Sequence, residues 1–191
     1  MRPKIRGRRV LYLVIGMAAF MIAYSVGAAT PLSEQDAKDL KKQFQDQIGN
    51  IDQNGIFANN ARIALGMFIP AAGTVLGMFS GFETGSVFSA MAKSSPALSS
   101  VPPIVILLTP FGAMELFSYG LAMSRSGMLV YKLAKDKPWI KGRARLFFHD
   151  SVVPALIEIG IVVAVLYAGA VVEWAFIQQL GGINAASGLG T

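Results

Sequence analysis

Residues 10–29 read VLYLVIGMAAFMIAYSVGAA, an apolar run long enough to cross a lipid bilayer as one helix, for which about 20 residues are needed. The residues before this run include no acid and several bases: Arg2, Lys4, Arg6, Arg8 and Arg9. A secretory signal peptide has the same order of features, but its apolar stretch is shorter, usually about 7–15 residues. The sequence therefore predicts an uncleaved anchor helix at 10–29, preceded by a basic cytoplasmic N-terminus at 1–9.

The composition extends this prediction to the rest of the chain. Of the 191 residues, 53% are hydrophobic and only 15% are charged, and the mean hydropathy is +0.52. A soluble domain usually carries about a quarter charged residues. We therefore expect an all-α, polytopic membrane protein that is surrounded by the lipid bilayer and has no separate soluble domain.

Later apolar stretches bring the predicted number of spans to about five. They are 57–81 with a kink expected at Pro70, a broken third span at 84–109, then 112–131 and 151–177. Prolines and serines within 84–109 leave open whether this segment crosses the bilayer or is re-entrant. Residues 57–180 together form the predicted transmembrane domain, and the Gly- and Ala-rich end at 181–191 is expected to be a flexible tail.

The segment 30–56 between the first two spans has a different pattern. Its apolar residues recur at steps of three and four among polar ones: Ala37, Leu40, Phe44, Ile48 and Ile51. This spacing predicts an amphipathic helix. Its apolar stripe is expected to lie on the membrane surface, to dock on a partner, or to pack on the loops of its own domain.

Loop charges predict the orientation. Residues 132–145 contain six basic residues and one acid, whereas 31–56 contain five acids and three lysines. Basic loops tend to stay on the cytoplasmic side. We therefore expect a multi-pass protein of the cell membrane with its N-terminus in the cytoplasm and its C-terminus outside.

Ionisable residues inside the predicted spans form two groups at different depths. At about 1.5 Å of rise per residue, Arg62, Glu115 and Glu173 fall at a similar depth near the outer face, together with Asn59 and Asn60. The same rise brings Arg125 and Glu158 to a common depth nearer the inner face. Buried charges in a membrane are costly unless paired. The groups are expected either to fix helix register or to line a polar pathway for an ion, a proton or a small solute.

Four glycines recur every fourth residue: Gly73, Gly77, Gly81 and Gly85. Small residues at this spacing form a groove that lets another helix approach closely. The pattern predicts a tight helix–helix contact, with a helix of the same chain or with one of a homo- or hetero-oligomeric partner.

Several classes of chemistry have no support in the sequence. The chain has no cysteine and a single histidine, His149, so we expect no metal site and no cofactor. No nucleophile with a positioned base is evident, so no catalytic residue is predicted. The basic residues lie at span ends rather than among aromatic residues, which argues against binding of nucleic acid.

Three motifs in order resemble the stage II sporulation protein M family: residues 56–64 (IFANNARIA), 109–116 (TPFGAMEL) and 170–177 (AVVEWAFI). The resemblance covers nearly the whole chain after 10–29. It implies a multi-span helical membrane protein without an established catalytic activity, and a membrane partner of other proteins. In one position the chain differs from the family pattern, because Phe111 stands where a histidine is usual, so any role of that imidazole is absent or altered.

These observations lead to two functional hypotheses. The first is a non-catalytic membrane subunit or scaffold that organises a larger membrane complex, for example as an accessory subunit of a membrane enzyme, with other membrane proteins as partners. The alternative is a transporter or channel component that moves an ion or small solute through a polar site at Arg62, Glu115 and Glu173.

Overall fold

The computed structural model describes residues 3–48, 52–94 and 102–186, and all regular structure within these ranges is helical, as predicted. The helices are α1 (Pro3–Ala29), α2 (Glu34–Ile48), α3 (Gln53–Gly66), α4 (Ala72–Ser94), α5 (Pro110–Asp136), the one-turn α6 (Ala144–Phe147) and α7 (Val153–Ala186). A 3₁₀ helix at Pro103–Leu108 leads into α5, and a π-helical turn at Phe148–Val152 joins α6 to α7.

The prediction of one kinked helix over 57–81 is wrong, because α3 ends at Gly66 and α4 begins at Ala72. Pro70 lacks the N–H that would continue the helical hydrogen bonds, and its ring obstructs the preceding turn. Ala71 takes a positive φ of 67°, which reverses the chain. The Ser126 hydroxyl donates to the Ile69 carbonyl at 2.7 Å, so this reversal is attached to α5.

The predicted broken span at 84–109 also differs from the structure. Its first part continues α4 without interruption to Ser94, and its last part is the 3₁₀ helix. Residues 95–101, where serines and a proline suggested the break, lie outside the described residues.

Contacts between neighbouring helices give their directions. Helices α1, α4 and α7 run one way, and α3 and α5 run the other way, so direction alternates along the chain. The contacts that establish this are Phe20 with Gly81, Tyr24 with Gly85, Arg9 with Ser124, Gly16 with Gly120, Arg125 with Glu158, Phe111 with Phe176, Asn60 with Glu115 and Ile69 with Ser126.

Much of the surface of this bundle is apolar, and part of its interior is polar. Large apolar side chains are exposed on several helices, for example Val75 (68%) and Ile157 (60%), whereas Arg125, Ser118 and Ser126 are buried. Two helical stretches, Arg8–Ala29 and Ala144–Gln179, are long and apolar enough to cross a membrane, and only 28% of the apolar window of each is buried. The core helix of a soluble protein would be mostly buried, and these two helices are mostly exposed.

The predicted amphipathic segment contains α2, which packs on α4 and buries Ala37. Ser33 caps α2, since its hydroxyl accepts from the Asp36 N–H at 3.1 Å. Ile51 lies outside the described residues, and the side chains from residue 43 onward in α2 are not described. At the other end of the chain, α7 continues to Ala186, so 181–186 of the predicted flexible tail is helical, and 187–191 lies outside the described residues.

Candidate functional site

A cavity of about 180 Å³ lies where α1, α3, α4, α5, α7 and the 3₁₀ helix meet. Each of these elements contributes at least one side chain to its wall. Aliphatic and aromatic residues form most of the lining, and polar groups come from α3, α4, α5 and α7. None of the described lining residues is basic. A largely apolar cavity with a few convergent polar groups is the usual form of a small-ligand site.

The polar groups that matter most are Asn60 on α3, Glu115 on α5 and Glu173 on α7, which together we call the acidic pole. The Asn60 amide Nδ2 donates to Glu115 Oε1 at 2.6 Å. Glu173 Oε2 is buried, and no group in the described part of the chain donates a hydrogen bond to it. The acidic pole therefore has more acceptor atoms than donors and carries two carboxyl groups.

The structure separates Arg62 from these carboxyl groups. Arg62 is exposed, and its nearest recorded polar contact is Nη2 with Asn59 Oδ1 at 3.4 Å. Among the described residues it forms no ion pair with Glu115 or Glu173, so the hypothesis that Arg62 neutralises the outer group is wrong. The reason is rotational: with 3.6 residues per turn, a position two residues after Asn60 points about 200° away from it.

Asn59 lies between the acidic pole and the exposed Arg62. It lines the cavity, its Nδ2 is 3.4 Å from Asn60 Oδ1, and its own Oδ1 accepts from Arg62. The predicted cluster is thus partly assembled: four of its five members line the cavity, and the fifth, the arginine, is on the outer surface of α3.

The remaining wall has an aromatic part, formed by Phe20, Phe88, Phe111 and Tyr119, which we call the aromatic wall. The Phe20 and Tyr119 ring centroids are 5.3 Å apart, and those of Phe111 and Phe176 are 6.1 Å apart. Phe111 is buried in this wall, so the position at which the resembled family has histidine is part of the cavity here.

The second predicted charge pair is formed, and a third residue joins it. Arg125 Nε donates to Glu158 Oε2 at 2.7 Å, and Arg125 Nη2 contacts Oε1. Arg9 also chelates this carboxylate, with Nε to Oε1 at 2.7 Å and Nη2 to Oε2 at 2.8 Å. Arg9 Nη1 donates to Ser124 Oγ at 2.7 Å as well. We call Arg9, Arg125 and Glu158 the inner triad; it links α1, α5 and α7.

Sequence reasoning missed Arg9 because it was grouped with the cytoplasmic basic residues. In the structure α1 begins at Pro3, so Arg9 is part of the helix and its side chain reaches the bundle. The position of Glu158 could have indicated the role of Arg9. Glu158 lies about two turns inside its predicted span, and a long arginine side chain at the end of an adjoining helix can reach that depth.

The four-spaced glycines of α4 are covered by helices of the same chain. A Cβ on Gly81 or Gly85 would lie 2.9 Å from the Phe20 carbonyl oxygen or 2.0 Å from that of Tyr24, both on α1. A Cβ on Gly77 would lie 2.4 Å from the Met123 side chain on α5. Gly73 approaches the Met67 carbonyl in the reversal before α4. The predicted close contact is therefore intramolecular along this face.

Side chains that could bind a metal ion are not clustered in the part of the chain that the structure describes. Across residues 3–48, 52–94 and 102–186, no group of three or more His, Asp or Glu side chains is arranged to hold a metal ion. His149 is exposed next to Asp150, with their nitrogen and oxygen atoms 3.2 Å apart.

Comparison of the chain with protein-family models, with curated proteins and with solved structures finds no match. The resemblance to the stage II sporulation protein M family therefore stays a prediction from three short motifs, and the functional argument depends on the geometry described above.

Proposed function

We propose that the chain is a multi-pass protein of the cell membrane that binds a small cation or cationic solute within its helix bundle, as a transporter or channel component. In this proposal α1, α3, α4, α5 and α7 are the five spans. The exposed apolar side chains support it, because large apolar residues are exposed on every one of these helices, and extensive exposed apolar surface is unusual for a soluble monomer.

Helix lengths support the same arrangement. α1 has 27 residues, α4 has 23, α5 has 27 and α7 has 34, against about 20 needed to cross a bilayer. α3 has only 14 residues, about 21 Å of rise, but it continues into the reversal that reaches the level of Ser126. With the basic N-terminus and the basic loop at 132–145 in the cytoplasm, the cavity then lies in the outer half of the membrane.

The observation that carries the functional part is the acidic pole. Two carboxyl groups line one cavity without a basic residue among its described lining residues. Ionisable groups held inside a membrane bundle are expensive and usually mark an ion or substrate pathway. Because Arg62 does not neutralise these acids, a structural role as an ion pair no longer accounts for them, whereas a cationic ligand would.

The subunit or scaffold hypothesis has less structural support than the sequence suggested. Its main motivation was the glycine face as a surface for a partner helix, and that face is filled by α1 and α5. The amphipathic α2 packs on α4 of the same chain. What remains in favour of a partner complex is the family resemblance.

Flux measurements on the full-length protein in liposomes test the proposal. We expect uptake of radiolabelled rubidium or methylammonium above that of empty liposomes, and a loss of about tenfold or more in Glu115→Gln/Glu173→Gln, which removes both carboxyl groups. Glu34→Gln is the matched control, since Glu34 is an exposed carboxylate of α2, outside the five proposed spans.

The proposal is wrong if the wild-type protein neither transports nor binds any of rubidium, methylammonium and benzylammonium, or if the double variant is as active as the wild type. Purification of the protein from native membranes is an independent test. Recovery of a stoichiometric complex that does not bind cations would favour the subunit hypothesis instead.

A further inference from the structure

The spacing of residues along α5 places a carboxyl group between two aromatic rings. Phe111, Glu115 and Tyr119 are four residues apart and all line the cavity. On a helix such neighbours have Cβ atoms about 5–6 Å apart and share one face. A cation is attracted to an aromatic face within about 6 Å of the ring centroid. A positive charge at Glu115 is therefore within reach of rings on both sides.

The rest of the aromatic wall comes from two other helices. Phe20 of α1 stacks at a tilt against Tyr119, and Phe88 of α4 lines the same cavity. Aromatic surroundings of this kind are a known means of recognising organic ammonium groups. A divalent cation such as Ca²⁺, by contrast, prefers about six to eight oxygen ligands, whereas most of the area of this lining is aliphatic or aromatic.

Hydrogen-bonding capacity favours an ammonium group as well. Glu173 Oε2 receives no donor from the described chain, and Glu115 is engaged through Oε1 by a single amide. A primary ammonium carries three donors and no acceptor. It would satisfy the acidic pole without adding another acceptor.

The volume limits the size of the ligand. The cavity measures about 180 Å³. For comparison, an apolar cavity of about 150 Å³ holds benzene. The space thus suits one six-membered ring or a branched alkyl group together with an ammonium group, and it is larger than a proton or a single metal ion requires.

We propose that the ligand of this cavity is a small primary ammonium compound with an apolar body, held by the acidic pole at its charge and by the aromatic wall along its length. This inference rests on the proposed cation-binding function and specifies its substrate class.

The test measures binding of radiolabelled benzylammonium to the full-length protein in lipid nanodiscs at neutral pH, with empty nanodiscs as the blank. We expect saturable binding that is weakened about 10- to 100-fold in Glu115→Gln, from the loss of a charged hydrogen-bond partner. Phe88→Leu should weaken it by about threefold through loss of one cation–π contact. Glu34→Gln should bind as the wild type does.

Competition on the wild-type protein decides the class of ligand even if a variant is unstable. Benzyl alcohol has nearly the same shape without the charge, and potassium ion has the charge without the apolar body. Neither should displace benzylammonium when present in large excess.

The other outcomes are distinct. Displacement by benzyl alcohol as effective as by unlabelled benzylammonium would make the cavity a neutral apolar site and overturn the inference. Binding of potassium that depends on Glu115, with no competition from benzylammonium, would overturn the inference and leave the proposed function standing. Binding of neither cation would overturn the inference, and it would overturn the proposed function too if the flux measurement also finds no cation uptake.

Discussion

Substitution Glu158→Gln in the inner triad is expected to destabilise the protein strongly. It keeps the size of the side chain but removes the charge that two arginines share. The Arg125 side chain is only 7% exposed and that of Glu158 12%, so Arg125 would be left buried without its counter-charge. Breaking a buried ion pair from one side costs about 3–5 kcal/mol. Arg9, at 20% exposure, can turn partly toward the headgroups, which favours the lower end, about 3 kcal/mol.

At about 2–4 °C per kcal/mol for a chain of this size, the midpoint of thermal unfolding should fall by about 6–12 °C. Circular dichroism of the detergent-solubilised protein measures this shift, with Glu34→Gln as the control for removal of an exposed carboxylate. The double substitution Arg125→Met/Glu158→Leu should recover much of the loss, because both members of the buried pair are replaced by apolar groups. If Glu158→Gln unfolds within about 2 °C of the control, the triad does not hold α1, α5 and α7 together.

Three further substitutions test the helix packing by the same unfolding measurement. Gly85→Ala should lower the free energy of unfolding by about 1–3 kcal/mol, because its Cβ would lie 2.0 Å from the Tyr24 carbonyl oxygen. Gly127→Ala in α5 is the control, because no atom lies within 4 Å of the new Cβ, and it should stabilise the protein by about 0.5–1 kcal/mol through helix propensity. Equal effects of Gly85→Ala and Gly127→Ala would contradict the packing of α1 on α4. Tyr24→Phe should cost about 1–2 kcal/mol, since the buried Tyr24 hydroxyl donates to the Pro103 carbonyl at 2.7 Å, and an unchanged stability would show that this bond does not hold the 3₁₀ helix.

The level of a side chain along the axis of the bundle could be predicted from the sequence. Arg125 and Glu158 meet as expected, because a fixed rise per residue determines the level of each side chain and a buried charge needs a partner at its own level. The same reasoning brought Glu115, Glu173 and Asn60 into one site.

Two features were harder to predict from the sequence: the direction in which a side chain points around its helix axis, and the residues at which helices begin and end. Arg62 was expected beside the carboxyl groups, but it lies on the exposed face of α3, because its direction depends on how α3 packs. Pro70 was read as a kink, yet together with the positive φ of Ala71 it reverses the chain. Arg9 joined the core because α1 begins well before its apolar run. Each of these outcomes depends on tertiary contacts that no local pattern contains.

The central claim is that the helix bundle is threaded through a bilayer with its acidic cavity toward the outside. Because the chain has no cysteine, single cysteines can report the side of each segment through a membrane-impermeant maleimide applied to sealed right-side-out vesicles. Cysteines at Pro31 and Gln178 should react from outside, one at Lys137 only after permeabilisation, and one at the exposed apolar Val75 in neither condition. Reaction of Pro31, Gln178 and Lys137 variants from the same side, or ready labelling at Val75, would contradict it.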